Sequence, residues 1–241
     1  MAHDCIFWGK FKNDKNGAIC LPLAAHCLDV ALCFRALCDL PAIRRPLNEL
    51  VWHTTGRKLA ETDFDRLAVI CLLHDLGKAN LGFQYKVFDP EAPRAGHIRE
   101  LESLFDPYDS HLYKQVMVAL DMDQLAGWFS DDVNACSYFM AAFSHHGRPV
   151  EFKGEQTGWK RLAKKWWTEG DLDPIKAISE LMKTARRAFP HAFEPFGKCL
   201  PEAAPFHHRF AGYLVFCGLG GISLPSGRRL PQWQKVKNIR S

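Results

Sequence analysis

The stretch Ala68-Val69-Ile70-Cys71-Leu72-Leu73-His74-Asp75-Leu76-Gly77-Lys78 constrains this chain more than any other, because an apolar run leads straight into a histidine and an aspartate. Ala68 to Leu73 reads as the end of a buried helix, with Gly77 able to take the left-handed conformation that closes one. The last turn of a helix holds unpaired carbonyls and the negative end of the dipole, both of which favour cations. Neighbouring side chains on a helix diverge by about 100°, so His74 and Asp75 are not expected to share one facial site. They suit a pair of ions instead, with His74 on one and Asp75 bridging to the other. A buried His bonded to its neighbouring Asp is the alternative, and the doublet alone does not separate the two.

A second doublet of the same design follows. Asn134 to Phe143 is another apolar helical run, and it ends in Ser144-His145-His146-Gly147. Two adjacent histidines closing a core helix are hard to explain as packing, because each buried ring needs a hydrogen-bond partner. Metal ligation explains them directly.

The remaining chain reads as helix. Pro22 opens a helix over Leu21 to Leu37, whose apolar positions recur at helical spacing and whose buried stripe includes His26. A lone histidine there is more commonly a hydrogen-bonded core residue, with ligation the other reading. Pro41 and Pro46 bracket a loop, Leu47 to Leu59 is a weakly patterned helix, and the chain turns irregular after Lys78. A loop containing Gly82, Pro90, Pro93 and Gly96 delivers His97 to the first turn of a helix, where a functional role is more common than in mid-helix. Further helices are expected over residues 113–120, 121–132, 159–167, 174–189 and 206–219. No sustained strand alternation or internal repeat appears, so the fold class expected is all-α with a single core.

Composition narrows the class. A hydrophobic fraction of 47% supplies one core for 241 residues, and the formal charge of +4 permits contact with nucleic acid without arguing for it. Basic residues cluster at Lys160-Arg161, at Lys164-Lys165 and near the C-terminus at Arg228-Arg229, Lys235, Lys237 and Arg240. The nine cysteines form no C-x-x-C pair, which removes zinc-ribbon and thioredoxin readings. Their odd number, without a signal peptide, points to a reducing cytoplasm, and no apolar run reaches membrane-spanning length.

The candidates are therefore His26, His74, Asp75, His97, His145 and His146, in an all-helical frame. This constellation resembles the HD superfamily of metal-dependent phosphohydrolases. More closely, it is similar to the HD nuclease domain of the CRISPR-associated type I helicase–nuclease. Trp8-Gly9-Lys10, Pro22-Leu23-Ala24-Ala25-His26, His74-Asp75-Leu76-Gly77-Lys78 and Ser144-His145-His146-Gly147 carry the closer likeness. His97 followed by Glu100 and Ser103 fits the family's third motif, and Phe206 to Gly212 looks like the start of its last. There the sequence departs from the pattern. The family continues to Ala-Asp-Trp, whose Asp is a metal ligand; here Gly218 takes that place, and no Asp or Glu follows Glu202.

The resemblance implies an HD nuclease domain over residues 1–224 and a basic tail or linker toward a helicase over 225–241. It implies two adjacent metal sites. One uses His26, His74 and Asp75, short of its last carboxylate at Gly218; the other uses Asp75, His97, His145 and His146. Imidazole-rich sites suit Mn, Fe, Co or Ni rather than Mg. Asp75 and Lys78 would act in catalysis, Lys78 by holding a phosphate oxygen. The implied substrate is single-stranded DNA, fed by a helicase within an RNA-guided surveillance assembly. No G-x-x-x-x-G-K-[ST] occurs, so the motor lies on a partner or on a longer chain from which this one is cut. The competing readings are an HD hydrolase acting on nucleotides and a non-catalytic docking module. The Trp8-Gly9-Lys10 and His145-His146 motifs oppose the first, and Gly218 favours the second.

Overall fold

The computed structural model describes residues 7–219, apart from 15, 16, 90, 92, 107–109, 149, 151–156 and 196. The expected tail over 225–241, its boundary at 224 and its basic cluster lie outside the described residues. The fold is mostly helical with one main core, as expected. Two strands precede the helices, however: β1 (Trp8–Asp14) and β2 (Gly17–Pro22) form an antiparallel hairpin that pairs Trp8 with Pro22 and Asp14 with Gly17. Alternation over so short a stretch, with a glycine in each strand, is too weak to stand out in the sequence.

The first helix, α1 (Leu23–Cys38), starts directly after Pro22 and buries His26, Cys27, Val30, Ala31 and Phe34. The next, α2 (Pro41–Thr55), runs through both prolines expected to bracket a loop. Pro41 sits at its start, where no amide partner is lost, and Leu47 and Val51 anchor the helix beyond Pro46 by burial. Almost every residue of α3 (Glu61–Leu72) is buried, and it packs along α1 beneath the candidate site. A 3-10 turn over Leu73–Ala79 then carries the His-Asp doublet. Where irregular chain was expected after Lys78, α4 (Leu81–Phe88) forms, capped by Asn80, whose side chain accepts from the Phe83 amide. Capping by an asparagine inside a Gly-containing segment is a local signal that the glycine at 82 obscures.

His97 stands in a bend just before a 3-10 turn, Arg99–Ser103, rather than in the first turn of an α-helix. Then come α5 (Ser110–Leu120), α6 (Met122–Ala126), α7 (Asp132–Phe143), α8 (Thr157–Thr168), α9 (Pro174–Ala188) and α10 (Ala204–Leu219). Asp131 and Asp173 cap α7 and α9 through their side chains. No helix among the described residues is long and apolar enough to cross a membrane.

Candidate metal centre

Four elements deliver side chains to one point. His26 comes from α1, His74 and Asp75 from the 3-10 turn after α3, His97 from the loop after α4, and His145 and His146 from the end of α7. The six residues expected from sequence therefore meet, although they span 121 positions, from 26 to 146 counted inclusively. They form two groups, His26 with His74 and Asp75, and His97 with His145 and His146, and within each group the candidate donor atoms lie within 4.8 Å of one another.

Asp75 joins the groups. Its Oδ2 lies 2.8 Å from His26 Nε2, 3.1 Å from His74 Nε2 and 2.6 Å from Lys78 Nζ. Its Oδ1 lies 3.3 Å from His145 Nε2 and 3.4 Å from His97 Nε2, and is buried without a hydrogen bond. The expectation that neighbouring His74 and Asp75 diverge is corrected here. At Asp75 the backbone leaves the helical region (φ −105°, ψ 21°), and the two side chains swing onto the same site. Gly77 does not adopt the left-handed conformation either. Its role is close approach, since a Cβ there would stand 1.6 Å from the His97 carbonyl oxygen. Left-handed closure belongs instead to Gly147, with φ +73°, just after the second doublet.

The donor chemistry tests whether a cation fits. His74 Nδ1 lies 2.8 Å from the Cys71 carbonyl, and His145 Nδ1 lies 3.1 Å from that of Ala142. A ring nitrogen facing a carbonyl oxygen must carry the hydrogen, so each neutral ring turns a bare Nε2 lone pair inward. Those lone pairs face Asp75 oxygens, which also only accept. Acceptor pairs 3.1 and 3.3 Å apart repel unless positive charge lies between them. His97 Nε2 and His146 Nε2 stand 2.8 Å apart, a second place where two ring nitrogens converge. The residues present thus fit a divalent metal ion, and the backbone-anchored rings match the way metal-binding histidines are usually held.

Titration agrees with this geometry. Burial lowers His97 to about 3, with Asp75 opposing and Lys78, His145 and His146 adding to the effect. Burial likewise lowers His26, against the pull of Asp75, and lowers His146. For Asp75 burial alone acts upward, but His74, His145 and His26 outweigh it and hold the carboxyl well below its usual range. Burial thus biases His26, His97 and His146, around the Asp75 carboxylate, toward their neutral forms.

Two supporting residues, Gln84 and Asn80, escape the sequence reading. Gln84, fully buried, accepts from the Trp8 amide at 2.9 Å and donates to the carbonyls of Trp8 at 3.0 Å and Lys78 at 2.6 Å. It thereby ties the hairpin to the His-Asp turn, with Gly9 admitted against His26 because a Cβ there would come within 2.7 Å of the His26 Cβ. Asn80, also fully buried, donates to the carbonyls of Gly77 at 2.7 Å and Gly96 at 2.8 Å, stapling the His97 loop to the same turn. Glu100 accepts from the Gly96 amide at 2.6 Å. Their signal in the sequence is faint: an asparagine just before a helix and a glutamine inside an apolar one. Lys78 lies beside the centre, donating to the Gly9 carbonyl at 3.1 Å as well as pairing with Asp75. Gly218 is half-buried near the end of α10, and a Cβ there would meet no heavy atom within 4 Å. His207 packs its ring against Tyr138, 4.6 Å between centroids, and neither it nor His208 belongs to either donor group.

The family described as Cas3, HD domain matches residues 8–218, nearly the whole chain. No curated protein and no solved structure matches it.

Proposed function

The chain belongs to the Cas3 HD-domain family, a family of metal-dependent nucleases, and from that premise we propose that it cleaves single-stranded DNA using two adjacent divalent transition-metal ions. The observation that carries this reading is the division of Asp75 between two histidine groups, Oδ2 toward His26 and His74, Oδ1 toward His97 and His145. In the proposed assignment His26, His74 and Asp75 hold one ion, and Asp75, His97, His145 and His146 hold the other. Mn, Fe, Co or Ni suits this nitrogen-rich set better than Mg. Bound there, such ions supply Lewis acidity at the phosphodiester and a hydroxide at neutral pH.

The chain's own groups prepare that chemistry. The Cys71 and Ala142 carbonyls fix the His74 and His145 rings in the ligating tautomer. Asp75 carries the negative charge that lets two cations approach one another. Lys78, little exposed and bonded to Asp75, has one ammonium hydrogen not claimed by Asp75 or Gly9, and we assign that hydrogen to a substrate phosphate oxygen. A centre sunk among helix ends admits a flexible strand more readily than a stiff duplex. The helicase that feeds the strand, and the RNA-guided complex that selects it, are proposed as partners on the family likeness alone. Gly218 is proposed as the place of the family's last carboxylate, which would leave the His26 group one ligand short and the nuclease weak. The family match favours this reading over a nucleotide hydrolase.

Metal content and cleavage test it together. The purified protein is expected to carry transition metal, to lose it in His74→Ala and in His145→Ala, and to cut single-stranded faster than duplex DNA with Mn supplied. Parental metal content in both variants would overturn the ligand assignment; equal rates on the two DNA forms would overturn the substrate assignment.

A further inference from the structure

Phe83 connects the centre to a group of charges that the ligand assignment does not use. Its ring stacks on Trp8 at 4.4 Å and lies 5.3 Å from the His97 ring. Two ammonium groups sit over it, Lys86 Nζ at 4.5 Å and Lys78 Nζ at 5.7 Å from its centroid. Lys78 is matched by Asp75. Lys86 is half-buried against the Phe83 face and forms no salt bridge among the described residues. Arg94 stands exposed on the loop three residues before His97. Burial lowers the Lys86 pKa, Glu100 opposes this, and Arg94 and Lys78 add to it, so these four charges lie close enough to feel one another. Lys78 is paired with Asp75, so Lys86, on the same Phe83 ring that flanks His97, is the ammonium there with no salt bridge among the described residues.

A purely structural explanation of Lys86 is weak. A cation over an aromatic face gains about 0.5–1 kcal/mol at an exposed site, and a half-buried ammonium loses part of that to desolvation, which Glu100 offsets without forming an ion pair among the described residues. An apolar side chain would pack on Phe83 without the loss. The ammonium is useful if an anion arrives. We propose that Lys86, on the Phe83 ring that flanks His97, contacts the phosphate backbone of the strand and seats it on the His97–His146 side of the centre, with Arg94, exposed on the loop that leads to His97, as a second backbone contact. This rests on the single-stranded DNA reading above.

The test measures binding, not turnover. A fluorescein-labelled deoxythymidine 15-mer is titrated with protein in EDTA, where no cleavage occurs, between 0.01 and 0.2 M NaCl. One phosphate contact on a single strand contributes about 0.7 to the slope of log K against log salt, so Lys86→Gln should weaken binding about 5-fold at 0.1 M and about 25-fold at 0.01 M. Lys86→Arg should keep the parental slope. Arg94→Gln, at an exposed position that does not threaten folding, should lower the slope in the same direction. Lys183→Gln, on α9 and paired with Glu180, should leave it unchanged. Parental slopes in both Lys86→Gln and Arg94→Gln, or an equal drop in Lys183→Gln, would overturn the proposal while leaving the nuclease reading standing. A parent that does not bind the oligonucleotide at any salt would overturn both.

Discussion

Gly77→Ala is the substitution that separates the scaffold from the ligands. A Cβ at position 77 would lie 1.6 Å from the His97 carbonyl oxygen, 2.6 Å from its carbonyl carbon and 3.1 Å from Leu101 Cγ. The obstacle is backbone, so no rotamer relieves it. A carbon–oxygen contact of about 3.3 Å requires the His97 loop to retreat by roughly 1.7 Å. Asn80 holds that loop through bonds of 2.7 Å to Gly77 and 2.8 Å to Gly96, and a shift of this size breaks one of them. Overpacking and the lost hydrogen bond together cost about 3 kcal/mol, or about 10 °C in Tm for a chain of this size. Ligand distances at a metal tolerate only about 0.2 Å, so the His97 group should lose its ion while the His26 group, upstream of residue 77, keeps its own. Cleavage should fall by about 100-fold or more. Elemental analysis after dialysis, thermal melting and single-strand cleavage with Mn give the three readouts. Gly56→Ala is the control: Gly56 sits at φ +66° with no heavy atom within 4 Å of its Cβ position, so alanine strains the backbone without touching the centre. It should lower Tm and spare both metal and cleavage. If Gly77→Ala keeps the parental metal content and rate, the close approach at Gly77 does not position His97.

His97 is lowered to about 3 against an ordinary 6.5, so between those values the unfolded chain takes up a proton that the folded chain refuses, and stability falls as pH falls through that window. The slope is up to about 1.4 kcal/mol per pH unit, and metal-free protein should melt about 4 °C lower at pH 5 than at pH 6 from this residue alone; His97→Gln should flatten the dependence, and an equally steep curve in that variant would refute the assignment. At Gly218 the open Cβ direction gives a carboxylate room, and Gly218→Asp should retain more Mn and cut faster than Gly218→Asn; no difference between the two would place the missing ligand elsewhere.

Much of this was legible because side chains suited to hold a metal contradict their surroundings. A histidine or aspartate at the end of an apolar run needs a partner, and that need shows in one dimension. His74, Asp75, His145 and His146 announce themselves in this way, and all four converge. His26, ambiguous on its stripe, is brought to the centre by a 2.8 Å contact with Asp75 Oδ2, between residues 49 positions apart, which no pattern along the chain displays. The hairpin and α4 were missed for the opposite reason. Each is short and interrupted by glycine, so propensity argues against it, and what stabilises it is tertiary: Trp8 bonded to Gln84 and stacked on Phe83.

The glycines show most clearly why a motif read along the chain understates its physics. Gly77 in the His-Asp-Leu-Gly-Lys stretch reads as a helix terminator, and termination is the service a glycine most often performs. The chain here has already left the helix at Asp75, two residues earlier, where the backbone break brings His74 and Asp75 onto one site. That break turns the following residues toward the His97 loop, and position 77 becomes the point where two backbones touch. A helical continuation through Asp75 would separate the doublet and hold the loop away. The same break therefore aims the carboxylate at both histidine groups and creates the close approach that only glycine permits. Aspartate and glycine two residues apart are one device: a substitution at Asp75 should disturb both histidine groups, and one at Gly77 the group that His97 belongs to.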